Sequence, residues 1–172
     1  MSARTSKPKN KGGRTDGWRP ATRLVHGGVL RSQFMETAEA IFMNSGYTYA
    51  TAEEAEAPSD NPRPRFVYSR YANPTVQMFE ERMALLEGAE ACRGTASGMA
   101  AVFAALLCQL RTGDRIVSSD ALFGSCHYIV NDILPRYGIQ SDLVDGRDLD
   151  AWAKALSKPA KVVFLETPSN PS

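Results

Sequence analysis

Cysteine is scarce in this sequence, and its distribution excludes more than its number does. Cys92, Cys108 and Cys126 are odd in count and widely spaced, with no Cys-x-x-Cys pair. That pattern excludes a disulfide framework and suits a reducing compartment. An excess of one charge is missing too: 20 Lys and Arg face 19 Asp and Glu, for a net charge of +1 at pH 7. Such a balance argues against nucleic acid as a main partner. No apolar run approaches the length that spans a bilayer, so no membrane partner is expected. The Gly-, Lys- and Asn-rich start has neither the apolar core nor the amphipathic Arg/Ser pattern of a targeting peptide, and a cytoplasmic location is expected. The adjacent pair Cys126-His127 invites a metal or nucleophile reading, but neighbours in a loop or strand point in different directions. The structural reading is favoured, and no metal site is expected.

What is present is an ordinary globular composition, 43% hydrophobic and 23% charged, enough for one domain with a real core. The basic residues crowd the start, where Arg4, Lys7, Lys9, Lys11, Arg14 and Arg19 are opposed only by Asp16. Residues 1–21 therefore read as a disordered basic tail. From 22 to 64 the chain mixes apolar, acidic and proline-rich stretches without a sustained period, like an arm wrapped around something larger. Residues 51–64 within it read as an exposed loop.

The organisation changes at Asn73-Pro74, a strong helix start with the Asn capping and the proline at the first helical position. Val76, Phe79, Met83 and Leu86 recur at helical spacing, and Gly88 ends the helix. A strand-like Ala91-Cys92-Arg93 leads into Ser97-Gly98, where a second, almost wholly apolar helix begins that is expected to be deeply buried. Strand patterns at 115–118, 139–144 and 161–165 then alternate with helical patterns at about 127–137 and 148–156. This spacing specifies an α/β protein with a mostly parallel sheet and helices on both faces.

In such sheets, ligands bind beyond the carboxyl ends of the strands. Three loops qualify: 94–98, 119–126 and 166–172. The first places Ser97 as N-cap of a helix whose leading N–H groups lack intrahelical partners and sit at the positive end of its dipole, a seat for phosphate. The second offers Asp120 and Phe123 beside Gly124; the third offers Glu166, Thr167, Ser169 and Asn170. Read without further context, Ser97-Gly98 could equally be a plain helix cap, whereas Phe123 alone reads first as a core aromatic and Asn170-Pro171 alone as a turn. The sequence Gly94-Thr95-Ala96-Ser97-Gly98 fits neither the dinucleotide fingerprint nor the P-loop, which weakens a nucleotide-dependent oxidoreductase.

Four motifs occur in one order: Tyr68-Ser69-Arg70-Tyr71-Ala72-Asn73-Pro74-Thr75, Leu86-Glu87-Gly88-Ala89-Glu90, Ser97-Gly98-Met99-Ala100-Ala101 and Glu166-Thr167-Pro168-Ser169-Asn170-Pro171. In these the chain resembles the pyridoxal-phosphate enzymes of cysteine and methionine metabolism, from about Thr22 onward. The variant Leu122-Phe123-Gly124-Ser125-Cys126 is most similar to the sulfhydrylases that act on O-succinylhomoserine.

The resemblance implies a three-layer, mostly parallel fold of the aspartate-aminotransferase-like (type I) kind, incomplete here, with residues 65–172 as the first part of the large cofactor domain. It implies pyridoxal 5′-phosphate as cofactor. Ser97, Gly98 and Met99 then face its phosphate, and Tyr68 and Arg70 cross from a neighbouring subunit to the same phosphate. Phe123 stacks on the ring where the family usually has a tyrosine, and Asn170 lies near the phenolic oxygen. The implied partners are further copies of the chain, a dimer with shared sites and then a tetramer, together with a small amino-acid substrate and sulfide. The implied reaction is γ-replacement of an activated homoserine ester, with cystathionine synthesis or C–S lysis as the runner-up. A non-catalytic assembly piece is the alternative of another class. The Schiff-base lysine and the aspartate that holds the ring nitrogen protonated lie downstream of Asn170-Pro171 in the family. No lysine from Lys7 to Lys161 matches that motif. The chain therefore reads as the front part of a longer protein, expected to be inactive alone and aggregation-prone or dependent on a partner.

Overall fold

A computed structural model describes residues 17–56 and 65–170. The expected tail through residue 16, the boundary after residue 64, and Pro171 lie outside the described residues. The chain divides between Gly94 and Thr95 into two compact units.

In the first unit, helix α1 (Pro20–His26) starts on a proline at its first position and stops at Gly27. A short exposed helix, α2 (Ala52–Glu56), replaces the loop expected over these residues. Its opening is held locally: Ala50 N–H donates to Glu54 Oε2 at 2.8 Å and Glu54 N–H to Thr51 Oγ1 at 3.1 Å. Helix α3 (Pro74–Glu87) behaves at its ends as expected, with Asn73 accepting the Thr75 N–H and Gly88 closing it in the left-handed conformation at φ 64°.

The buried face of α3 is not the expected stripe. Met78 is 3% exposed, whereas Val76 and Phe79 are 45% and 55% exposed. Helix α1 decides this by packing on the other side: Arg23 donates to Leu85 O and Arg82 Nε to Gly27 O, so 78, 82 and 85 form the covered row. Gly28 makes the approach possible. It sits at φ 67°, and a Cβ there would lie 2.9 Å from Glu81 Cβ and 3.1 Å from Met78 O.

The second unit begins with α4 (Gly98–Leu107) and contains three parallel strands, β1 (Arg115–Ser119), β2 (Gln140–Val144) and β3 (Val162–Phe164), in the order β2-β1-β3. β1 is central, and its consecutive residues Ile116 and Val117 point to opposite faces yet are both fully buried. Between β1 and β2 run α5 (Gly124–Tyr128), a π-helical turn (Ile129–Ile133) and α6 (Leu134–Arg136). The helix thus starts three residues earlier than expected and widens in its middle. Pro135 explains the widening: it has no N–H to give, and its ring would press on the carbonyl one turn back in a regular helix. Leu134 accordingly bonds back to Ile129 O. α7 (Leu149–Leu156), capped by Asp148 on the Ala151 N–H, packs on β2.

The core of this unit gathers Leu106, Leu110, Ile116, Leu122, Cys126, Ile129, Val130, Leu134 and Ile139. Helix α4 contributes only one face. Leu106 is buried, and Met99, Val102, Phe103 and Leu107 pack against the core, but Ala100, Ala101, Ala104 and Ala105 are exposed. The expected all-round burial is corrected because no other described segment of this unit covers the alanine row. Ala91-Cys92-Arg93 is likewise extended chain without a strand partner among the described residues, and a strand exists only where a ladder forms. The architecture is α/β with a parallel sheet, incomplete as expected.

Candidate cofactor site

The carboxyl ends of all three strands open on one cavity of about 800 Å³. It is lined by Ser119 and Asp120 after β1, Asp145 to Arg147 after β2, and Leu165 to Thr167 after β3, with Trp152 of α7 at its wall. The strand-edge rule therefore locates it. Its electrostatics are set by an exposed pair: Arg147 donates from Nε to Asp145 Oδ1 at 3.1 Å and from Nη2 to Oδ2 at 2.9 Å. These bonds hold the Asp145 carboxyl down at about 2, and the same contact raises Arg147. Trp152 Nε1–H donates to Gly146 O at 3.3 Å. Asp145, Arg147 and Trp152 were not singled out from sequence, although Asp145-Gly146-Arg147 directly follows a strand pattern.

The loop after β1 is bound at several points. Asp120 N–H donates to Val144 O at 2.8 Å, and Asp120 Oδ1 lies 3.1 Å from His127 Nε2. Phe123 is 40% exposed, and its backbone N–H donates to Glu166 Oε2 at 2.7 Å, joining the second and third expected loops. Cys126 is buried, and its thiol is pushed up first by burial and then by the Glu166 charge. It is not an activated nucleophile, and His127 pairs with Asp120 instead.

The first expected loop starts α4. Ser97 is extended and caps the helix, its Oγ accepting the Ala100 N–H at 3.1 Å, while Ala101 N–H reaches Ser97 O. The N–H groups of Gly98 and Met99 find no acceptor among the described residues. A Cβ at Gly98 would meet nothing within 4 Å, so the backbone is open to approach. Two adjacent unpaired donors on open backbone fit a phosphate. Ser97, Gly98, Met99, Phe123 and Asn170 do not line the cavity itself.

In the first unit, Tyr68 bridges to Gly46 as an isolated antiparallel pair, and Ser69 N–H donates to Ser45 O at 2.8 Å. The exposed Arg70 guanidinium lies 5.2 Å from the Tyr68 ring centroid and 4.8 Å from that of Tyr71, and forms no ion pair among the described residues. It is a cation steadied by two aromatic faces, with one Nη2–H directed at the Tyr71 hydroxyl at 3.5 Å and the rest of its planar donor fork suited to an anion.

Residues 21–172 match the family described as Cys/Met metabolism PLP-dependent enzyme. The chain belongs to that family. The chain is similar to an O-succinylhomoserine sulfhydrylase of Mycobacterium tuberculosis, 54% identical over 91% of this chain and 38% of the relative. One of Pseudomonas aeruginosa is 43% identical over 87% of the chain and 37% of its own length. An L-methionine gamma-lyase of Porphyromonas gingivalis is 34% identical over 88% of the chain and 38% of its own length. A solved structure from Campylobacter jejuni, named as an O-acetylhomoserine (thiol)-lyase, superposes with a TM-score of 0.79 at 29% identity, covering 90% of this chain and 38% of that one. That structure carries N′-pyridoxyl-lysine-5′-monophosphate. The chain thus spans 38% of the length of the first curated relatives it matches, and its sheet is part of the type I fold. Among the described residues, no helix is long and apolar enough to cross a membrane.

Proposed function

We propose that this chain forms the phosphate-side part of the cofactor site in a protein that catalyses γ-replacement: O-succinylhomoserine plus sulfide to homocysteine plus succinate, in methionine biosynthesis. The reading is carried by the 54% identity to an O-succinylhomoserine sulfhydrylase over 91% of the chain. The lyase relative, 34% identical, keeps C–S lysis as the second reading. Phe123 weighs against lysis. Without a hydroxyl it has no proton to give a leaving thiolate.

Bound pyridoxal phosphate supplies an electron sink for the charge left on substrate carbon. The residues of this chain hold and orient. Gly98 and Met99 donate backbone N–H groups to the phosphate, with Ser97 fixing the helix end that presents them. Tyr68 and Arg70 reach the same phosphate from a neighbouring copy, which makes the active unit at least a dimer, with residues 22–64 as the contacting arm and a tetramer as the assembled state. The Phe123 ring packs on the cofactor ring and keeps water from that face. Asn170 donates its amide N–H to the phenolic oxygen. No lysine of this chain is assigned the covalent link, and the complete protein is proposed to act in the cytoplasm.

The test is the product formed by the complete protein from O-succinylhomoserine when sulfide and cysteine are supplied separately. Homocysteine from sulfide as the dominant reaction supports the reading. Dominant cystathionine from cysteine overturns it in favour of synthesis, and release of thiol from methionine or cystathionine without a second nucleophile overturns it in favour of lysis.

A further inference from the structure

Phe123 is held by its backbone far more firmly than the exposure of its ring would require. Both peptide groups of this residue are occupied. Its N–H donates to Glu166 Oε2 at 2.7 Å, and its C=O accepts the His127 N–H at 2.9 Å. The residues on either side are anchored in the core: Leu122 is 8% exposed and Cys126 is 8% exposed. Outside these anchors the loop is closed a second time, because Asp120 and His127 meet side chain to side chain at 3.1 Å. Phe123 nonetheless remains 40% exposed.

The Glu166 bond has a specific local reason. Phe123 is the N-cap of α5 and offers no side-chain acceptor to the helix. A helix start of this kind is commonly completed by a Glu or Gln at the third helical position, which reaches back to the N-cap N–H. Here that position is Cys126, which is buried and points into the core. The acceptor comes instead from Glu166, just past the end of β3, the strand paired alongside β1. A carboxylate accepting a backbone N–H is among the stronger neutral-donor bonds.

We infer that Glu166 is a positioning residue: its carboxylate fixes the Phe123 peptide, and thereby the ring face offered to the cofactor. The inference rests on the ring-stacking reading of Phe123 for its functional meaning, but the clamp itself does not. Glu166 acts through Phe123 and needs no contact with substrate.

The amide hydrogen exchange of Phe123 in the complete protein reads the clamp directly. Glu166→Ala accelerates exchange at that amide by about ten- to a hundredfold, while Glu166→Gln, whose amide oxygen still accepts, stays within about threefold of the unmodified chain. Exchange at Ile116 and Val117, deep in β1, reports whether the fold survives. Should Glu166→Ala unfold the unit, Glu166→Gln against Glu166→Met at matched core protection carries the same comparison. Equal Phe123 exchange in all these variants overturns the clamp. In the complete, cofactor-loaded protein, the circular dichroism of the bound pyridoxal phosphate changes in Glu166→Ala and is restored in Glu166→Gln. Failure of the two ideas is separable. If Phe123→Leu leaves that signal and cofactor affinity unchanged, ring stacking fails while the exchange result still decides the clamp. If Phe123→Leu alters the signal and Glu166→Ala does not, the positioning role fails.

Discussion

The N–H of Ala100 points back to the hydroxyl of Ser97 at 3.1 Å, and this one bond sets where α4 begins. Because Ser97 satisfies the donor at 100 and its own carbonyl takes the donor at 101, the unsatisfied pair is confined to Gly98 and Met99. Ser97→Ala is expected to cost about 0.5–2 kcal/mol in urea unfolding, the usual value of a lost N-cap. Ser97→Asp keeps the cap and stays near the original stability, but it adds a negative charge beside the anion seat. Phosphate binding therefore falls in both variants while stability falls in only one.

Asn73 does two jobs with one side chain. Its Oδ1 accepts the Thr75 N–H at 2.9 Å, and its Nδ2 donates to Phe42 O at 2.9 Å and Ser69 Oγ at 3.0 Å, joining the arm to the start of α3. Asn73→Ala is expected to destabilise the first unit by about 1–3 kcal/mol. Asn73→Asp retains the cap but not the donors, and it leaves the Phe42 carbonyl without the amide of Asn73, a side chain on a residue only 8% exposed. It too is destabilising, as chemical denaturation followed by tyrosine fluorescence will show.

The cysteines differ in reactivity for physical reasons. Cys108 is exposed, Cys92 is half-buried and Cys126 is buried with its thiol raised by burial and by the Glu166 charge. A thiol reagent at pH 8 is expected to modify Cys108 first, Cys92 next and Cys126 only after unfolding, as mass spectrometry of peptides can follow.

Asp145 carries the clearest pH signature. Its hydrogen bonds from Arg147 depress the carboxyl from 3.8 to about 2. A folded-state value below the unfolded one means that the pair's contribution is present above the unfolded value and is lost as pH falls toward about 2. The group is fully exposed, so the effect on stability is small; the titration itself is the observable. Carboxyl-carbon NMR is expected to place Asp145 near that low value and, in Arg147→Ala, back in the ordinary aspartate range.

The features legible in the sequence were the local ones. Asn73, Gly88 and Ser97 mark helix ends because a cap is decided by a few adjacent residues, and each does so here. The parallel sheet was legible from the alternation of patterns, and the strand-edge rule led to Asp120 and Glu166 in loops that the structure brings together. What depended on distant partners was not legible. The covered face of α3 is chosen by α1 through Gly28, Arg23 and Arg82, none of which alters the spacing of Val76, Phe79 and Met83. The strand pattern at Ala91 to Arg93 needs a neighbouring ladder, and the π-turn at 129–133 needs the backward reach of Pro135. The cavity residues Arg147 and Trp152 acquire meaning only when β2 and α7 are set beside β1 and β3.

Amide NMR of this chain during titration with pyridoxal 5′-phosphate reads whether the start of α4 holds the cofactor phosphate. The largest saturable shifts are predicted at Gly98 and Met99, reversed by excess inorganic phosphate and diminished in Ser97→Asp. Saturable shifts confined to the cavity around Asp145, Arg147 and Trp152, with Gly98 and Met99 unmoved, would contradict it.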